Sequence, residues 1–415
     1  MYNPGYYEFF CGVKTVAGHT ALERIPALLK EMGAEKPMII TDKGVVAVGL
    51  VDIVEAALAS GMPAVAVEDD VPVDSDVETV HRIAAVYLKK GCDALIAVGG
   101  GSVMDTAKGV NIVVSEEADS LLDFSGAGVL KRRLKPLVAV PTTAGTGSEV
   151  TQAAVIADPS VNRKLLFVSH FLLPNIAVLD SRMTLTLPPH LTAATAMDAL
   201  THAVEAYTCL SKNPISDAFA MEAISMISRN LLSVVQQPDD RDGRLALATA
   251  ANLAGIAFSN STVGMVHALG HSVGAVSHVP HGTCMSILLP YGLEYNMHKS
   301  GPWTGELLYP IAGEAIYAAT PKEKRAEKTV ACIREFNQAL FDATGGLHSR
   351  FFREVTDRDG RSAVSREQLP DIARTALGDG SIFYNPEEMD VEDALMVMEA
   401  AWAGDPLDRS LVKTG

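Results

Sequence analysis

Cysteine is scarce in this chain of 415 residues: Cys11, Cys92, Cys209, Cys284 and Cys332 are odd in number, scattered, and never in a C-x-x-C spacing. That excludes a disulfide framework and a zinc knuckle. Cys284, close to His281, is expected to pack as a small buried hydrophobe. Basic residues are also in the minority, 34 against 50 acidic ones, leaving a net charge of -16. No basic run exceeds Lys131-Arg132-Arg133, which reads as a solvated loop, so nucleic acid is excluded as a partner. No stretch has the roughly eighteen apolar residues of a membrane span. Met1-Tyr2-Asn3-Pro4-Gly5 lacks the basic-then-apolar order of a secretion signal, so a cytoplasmic location without membrane association is predicted. Internal repeats, low-complexity tracts and the G-x-G-x-x-G fingerprint are missing too.

What is present divides into two textures. With 48% hydrophobic residues the chain can bury a large core, and its length favours two domains. The first part alternates short β-rich runs with helical patterns. Pro37 to Thr41, Ala64 to Glu68, Ala94 to Val98, Leu137 to Val140 and Ile176 to Leu179 read as buried strands, with Leu50 to Ser60 and Val77 to Lys90 as helices between them. This predicts an α/β dinucleotide-binding domain with a parallel, Rossmann-like, doubly wound sheet over residues 1–187. Tyr6 to Cys11 and Lys14 to Ala17 are expected to form a hairpin or edge strands. After Leu187-Pro188-Pro189 the chain becomes rich in Ala, Leu and Met, with helical spacing through Ser216 to Val235 and Leu245 to Ser259. Tandem prolines fix an extended joint, so an all-α domain is predicted over 188–415.

That second half carries two pairs of polar residues spaced four apart, Asp198 with His202 and His267 with His271. In a helix each pair shares a face and can aim two side chains at one point. Three neutral imidazoles and one carboxylate make a site suited to Fe(II), Zn(II), Co(II) or Mn(II). By spacing, either His278 or His281 can supply the last imidazole.

The first half carries nucleotide signals. Ala94 to Val98 runs into Gly99-Gly100-Gly101-Ser102, and a helical pattern with Asp105 follows. Glycine lets the backbone approach a pyrophosphate, and the helix start offers free N–H groups; Ser102 is expected to be the N-cap. Asp42, just after a strand, can accept hydrogen bonds from an adenosine ribose and would repel a 2′-phosphate, which favours NAD over NADP. The loop Pro141 to Thr151, including Thr142, Thr143 and Thr151, leaves a strand with hydroxyls and amides suited to phosphate or ribose.

These residues, with Lys108, Thr184-Leu185-Thr186-Leu187-Pro188-Pro189, His267-Ala268-Leu269-Gly270-His271, Pro280-His281-Gly282 and the region from Asp379-Gly380-Ser381 to Trp402, resemble the iron-containing (group III) alcohol dehydrogenases over nearly the whole chain. The resemblance implies a metal in the cleft between the two domains. It implies Asp198, His202, His267 and His281 as ligands, choosing His281 over His278, and it makes His271 a non-ligand histidine near the nicotinamide. It places Asp42, Gly100, Ser102, Thr142, Thr143, Thr151 and Lys164 at cofactor contacts, within a cradle that includes Gly99, Gly101 and Asp105. In one departure, Val71-Pro72-Val73-Asp74 puts Asp74 where members commonly carry asparagine, a carboxylate that can weaken binding of an anionic cofactor.

The activity so implied is reversible hydride transfer between an alcohol, or a diol, and NAD, with the metal acting as Lewis acid on the substrate oxygen and His271 relaying a proton. A homodimer or higher homo-oligomer is implied as well, the N-terminal strand pairing with a second copy. The rivals are a glycerol or diol dehydrogenase, a dehydroquinate-synthase-like lyase, and a non-catalytic nucleotide- and metal-binding protein. The lyase would need clustered basic residues, and Thr192 to Tyr295 holds only Arg229, Arg241, Arg244 and Lys212.

Overall fold

Nine strands are formed in a computed structural model of the chain, which describes residues 4–59, 61–160, 163–357 and 359–412. In chain order they are β1 Lys14–Gly18, β2 Pro37–Ile40, β3 Ala66–Glu68, β4 Ala94–Gly99, β5 Gly126–Ala127, β6 Leu137–Pro141, β7 Ala153–Asp158, β8 Arg163–Val168 and β9 Ile176–Asp180. Six of them make one parallel sheet in the order β1-β9-β6-β4-β2-β3. Every residue of β2, β4, β6 and β9 is buried. These strands are continuous apolar runs because helices cover both faces of such a sheet. Two clusters of buried side chains do this, one around Val80, Ile83, Met104 and Val110, the other around Leu22, Leu29, Val54 and Leu58.

The order of the strands sets the position of the site. From β2 the chain moves outward to β3 and then crosses to β4 on the other side of β2, so the winding reverses between β2 and β4. Ligands of such sheets bind beyond the carboxyl ends of the strands at this reversal. Asp42 lies just past the end of β2, Gly99 ends β4, and Thr142 follows Pro141, which pairs with Gly99 in the register.

Two expectations need correcting. Tyr6 to Cys11 joins no ladder, and Lys14–Gly18 pairs in parallel with β9 as an edge strand, so no hairpin forms there. A second sheet, β5-β8-β7, was not foreseen; β7 and β8 run antiparallel and β5 parallel to β8. Along β7 burial alternates, with Ala154, Ile156 and Asp158 inward, but the residues are Ala-Ala-Val-Ile-Ala-Asp, so hydrophobicity barely alternates with it.

The chain divides into two compact units. One comprises Phe10–Leu187 with Asp239–Gly255; the other comprises Pro188–Pro238, the chain from Ile256 onward and the segment up to Phe9. The second unit is helical, with no named strand among its described residues. Its main helices are Pro189–Thr208, Pro214–Gln236, Met265–Ser277, His281–Tyr295 and Arg325–Ala343. A core around Leu269, Val273, Met285, Tyr291, Ile372 and Met398 joins its middle and end. Pro214–Gln236 is long and apolar enough to cross a membrane by length and composition, and it packs along Pro189–Thr208.

Within the first unit, the helix Arg241–Ser259, whose part up to Gly255 belongs there, reaches the Pro141 to Thr151 loop through two glycines. Gly147 has φ +62, and a Cβ on Gly255 would lie 2.8 Å from Gly147 O and 2.9 Å from Gly147 Cα. Backbone atoms cannot give way at that distance. Gly255→Ala should therefore lower stability by about 1–3 kcal/mol, the cost of overpacking, read from urea unfolding; an unchanged midpoint would show that the approach is looser than drawn.

Candidate metal centre and cofactor cradle

Asp198 and His202 stand one turn apart on the helix Pro189–Thr208, which begins with Pro189 in its first turn, where a missing N–H costs nothing. Both are buried. His267 comes from Met265–Ser277 and His281 from the first turn of His281–Tyr295. Around Asp198 Oδ1 stand His281 Nε2 at 3.2 Å, His202 Nδ1 at 3.7 Å and His267 Nε2 at 4.0 Å. Asp198, His267 and His281 each offer a ligand atom within 4.8 Å of the others. His202 lies beside them, its ring tilted against that of His267 at 4.5 Å and stacked on Phe258 at 4.3 Å. His278, which spacing alone left in contention, sits exposed at the left-handed C-cap of Met265–Ser277, with φ 54.

The Pro280-His281-Gly282 order has a steric reason. A Cβ on Gly282 would lie 2.4 Å from Ala194 O. Only glycine lets this helix start touch the backbone of Pro189–Thr208, and that contact brings His281 to Asp198.

The electrostatics suit a cation. Burial would raise the Asp198 carboxyl, but His202 foremost, then His281 and His267, hold it well below the usual carboxylate range. Burial pushes His202 down to about 3 and His267 well below the ordinary imidazole value. Asp198 Oδ1, His202 Nδ1 and His267 Nε2 are all buried without a hydrogen-bond partner. Three such atoms facing one point are costly unless something accepts their lone pairs. One oxygen and neutral ring nitrogens fit a divalent metal. Cys284 is fully buried, and burial pushes its thiol up, so it stays an inert packing residue.

His271 is half-exposed and outside the cluster. Its ring stacks on His281 at 5.2 Å, and its Nδ1 lies 2.8 Å from Asp379 Oδ2. Burial would raise Asp379, but the hydrogen bond from His271 holds it well below the usual range. Asp379 was seen in the sequence only as part of a similar region. Glu205 was missed altogether: it is buried, one turn past His202, with Oε2 2.5 Å from His267 Nδ1 and Oε1 accepting from Val266 N at 2.8 Å. Its only signal is the spacing 198, 202, 205, which puts all three side chains on one helix face.

In the first unit, Gly99-Gly100-Gly101 opens the helix Gly101–Glu116, with Gly100 as N-cap and no side chain capping it. Ser102 is thus not the N-cap that the sequence suggested: it lies inside the helix and its hydroxyl donates to Val73 O. None of the three glycines has positive φ. They serve close approach instead, since a Cβ on Gly101 would meet Thr146 at 3.1 Å and one on Gly100 would meet Thr143 at 3.6 Å. The uncapped helix start fits an anionic phosphate.

The remaining residues named for the cofactor differ in how free they are. Thr142 N donates to Gly99 O at 3.1 Å. Asp42 caps a short helix, Oδ1 accepting from Val45 N at 3.0 Å. Asp105 spends one oxygen on Ser148 Oγ and the other on Val155 N. Thr151 Oγ1 accepts from Lys108. Lys164 and Asp74 form an exposed ion pair at 2.9 Å, so the unexpected carboxylate faces the lysine named as a cofactor contact. Lys108, fully buried, ties the cradle together by donating to Ser148 Oγ, Thr151 O, Thr151 Oγ1 and Ala153 O at 2.7–3.0 Å. Burial lowers it to about 8 and raises Asp105 and Glu149, which oppose that shift.

A parallel sheet with a glycine turn at its winding reversal, and a cluster of one carboxylate and three imidazoles, are the parts of a nucleotide-linked, metal-dependent enzyme. Residues 13–181 match the family "Iron-containing alcohol dehydrogenase", and residues 192–402 match "Fe-containing alcohol dehydrogenase family, C-terminal". The chain belongs to the iron-containing alcohol dehydrogenases. It is 34% identical over 387 residues to a 1,3-propanediol dehydrogenase of Klebsiella pneumoniae, covering 93% of this chain and 96% of that one. It is 30% identical over 394 residues to an NAD-dependent methanol dehydrogenase of Bacillus methanolicus, covering 95% and 99%. Among solved structures it is similar to a 1,3-propanediol oxidoreductase, with TM-score 0.88, 32% identity and coverage of 96% and 100%. It is an NAD-linked alcohol dehydrogenase that works with iron or another divalent metal.

Because Lys108 faces Asp105 and Glu149, removing it leaves buried carboxyls without their cation. Lys108→Met should cost about 3–5 kcal/mol, as for other broken buried pairs, measured by urea unfolding of the cofactor-free protein; a loss within ordinary surface scatter would mean the lysine does not hold the cradle.

Proposed function

We propose that Asp198, His202, His267 and His281 hold the metal and that the substrate is a small primary or secondary alcohol or a diol, oxidised reversibly to aldehyde or ketone. The observation that carries this is the convergence of buried, unbonded Oδ1 and ring nitrogens on one point. When bound, a divalent cation polarises the substrate oxygen and the nicotinamide exchanges hydride with the carbon. Around it the chain supplies the rest. Asp198 contributes the one negative charge; Phe258, stacked on His202, shields one side. His271, half-exposed and tethered by Asp379, passes a proton from the substrate hydroxyl toward solvent.

For the cofactor, Gly99, Gly100, Gly101 and Ser102 cradle the pyrophosphate, Thr142, Thr143 and Lys164 contact it further on, and Asp42 selects NAD over NADP. Asp105 and Thr151 act through the loop they brace. By division of labour, residues 1–187 form the nucleotide domain and 188–415 the metal and substrate domain. Names of relatives carrying methanol and 1,3-propanediol favour a short substrate. The edge strand Lys14–Gly18 supports pairing with a second copy as a homodimer. The acidic composition speaks against nucleic-acid partners, and similarity to metabolic alcohol dehydrogenases supports a cytoplasmic enzyme.

The lyase reading is disfavoured by Lys212. It is buried, 2.5 Å from Asp217 Oδ2, with the rings of Tyr207 and Trp303 at 4.5 and 5.3 Å. A lysine so enclosed is spent on the fold and does not meet an anionic substrate.

The test is metal-depleted protein reconstituted anaerobically with Fe(II), Zn(II) or buffer and followed by NADH absorbance over an alcohol panel, with His267→Ala as control. Activity should return with metal and be absent in the variant; tight metal and NAD binding without turnover in either direction would reject the dehydrogenase. In a second measurement, Asp74→Asn should free Lys164 and tighten NAD binding by roughly 2–5-fold, the scale of an exposed ion pair, with an effect that shrinks at high salt. Unchanged affinity at low salt would remove Lys164 from the cofactor.

A further inference from the structure

We propose that Glu205 is a positioning residue that fixes the tautomer of His267 and thereby sets the metal affinity. The inference rests on reading His267 as a ligand. An imidazole serves a metal only through a nitrogen that carries no proton, so the other nitrogen must keep its N–H and needs an acceptor. His267 Nδ1 lies 2.5 Å from Glu205 Oε2, while His267 Nε2 is buried, has no hydrogen-bond partner and faces Asp198.

Glu205 is built as an acceptor. Its Oε1 takes Val266 N at 2.8 Å, and this backbone donor works against burial, which pushes the carboxyl up. Beside it, Asn385 Oδ1 accepts from Met265 N at 3.1 Å. The two side chains together satisfy the first amides of the helix Met265–Ser277, which Gly264 itself cannot cap. The space is full: a Cβ on Gly264 would fall 2.9 Å from Asn385 Oδ1 and 3.1 Å from Glu205 Oε1. With a backbone donor on the carboxylate, the remaining hydrogen bond runs from His267 Nδ1–H to Oε2 and leaves a lone pair at Nε2.

Glutamine at this position keeps the shape and reverses the polarity. Its carbonyl must serve the Val266 amide, so its NH₂ faces His267 Nδ1 and drives the proton to Nε2. The opposite amide orientation sets two donors against each other. Aspartate keeps an acceptor on a shorter arm.

The experiment uses metal-free full-length protein with ¹⁵N-labelled histidine, and competition with a chelator for Co(II) and Zn(II). Wild type should show His267, assigned by difference from His267→Ala, as the Nδ1–H tautomer. Glu205→Gln should show the Nε2–H tautomer and bind Co(II) roughly 10–100-fold more weakly, the usual effect of losing an outer-sphere partner. Glu205→Asp should stay closer to wild type in both. Wild-type affinity in Glu205→Gln, or an Nε2–H tautomer in wild type, overturns the proposal; the second reading stands even if the variant does not fold. If instead His267→Ala binds Co(II) as tightly as wild type, it is the ligand assignment that fails.

Discussion

A single desolvated carboxylate governs the arrangement of the helical unit. Asp198 is buried, and each of its ion-pair partners is an imidazole. Burial keeps His202 and His267 in their neutral form at ordinary pH. A desolvated carboxylate is expensive in a medium of low dielectric, and among the described residues no lysine or arginine pairs with it. A divalent cation held there would relieve that cost, so the same feature that opposes folding of the metal-free chain would supply affinity for metal.

That arrangement demands close backbones, because three short imidazoles and an aspartate reach a common point only if their helices nearly touch. Gly282 against Ala194 O provides one such approach. Glu205 provides another by tying the Val266 amide, at the start of Met265–Ser277, to the helix that carries Asp198. The nucleotide unit solves a similar problem by other means. There a buried ammonium, Lys108, collects carbonyls and hydroxyls from the loop and from β7, while Gly147 and Gly255 let the loop meet a helix.

How much of this could be read beforehand depended on whether the signal is local. Four of the five strands read as buried apolar runs are buried where the sequence placed them, because their neighbours in the sheet all demand the same apolar faces; the run Ala64 to Glu68 also forms a strand, but a shorter one, Ala66–Glu68, at the sheet edge with none of its residues buried. The i, i+4 pairs Asp198/His202 and His267/His271 were visible as helical spacing. The choice between His278 and His281 was not, since it turns on where one helix ends in a left-handed cap and the next begins. Ser102 misled because Ser before a helical pattern is a good cap by itself, whereas Gly100 takes that place and the serine hydroxyl finds Val73 O. Glu205 and Lys108 were unremarked in role because their partners, backbone groups together with His267 for one and the Ser148 and Thr151 hydroxyls for the other, lie far away in sequence.

The acidic balance of the chain sharpens the question of how it holds an anionic dinucleotide. A net charge of -16 repels phosphate at long range. Side-chain cations near the candidate cradle are already engaged: Lys108 is buried among its acceptors, and Lys164 faces Asp74. What is left to meet a pyrophosphate is the uncapped amino end of Gly101–Glu116, whose field falls off within about one turn. Such a site attracts only a phosphate brought into contact with it by the rest of the cofactor. Binding is then led by shape and by ribose contacts such as Asp42 can make, with charge as a local correction. The Asp74 carboxylate fits that balance: paired with Lys164, it leaves that lysine's charge largely neutralised at the protein surface, so long-range attraction of the dinucleotide is weak and release of either redox form is not opposed by it.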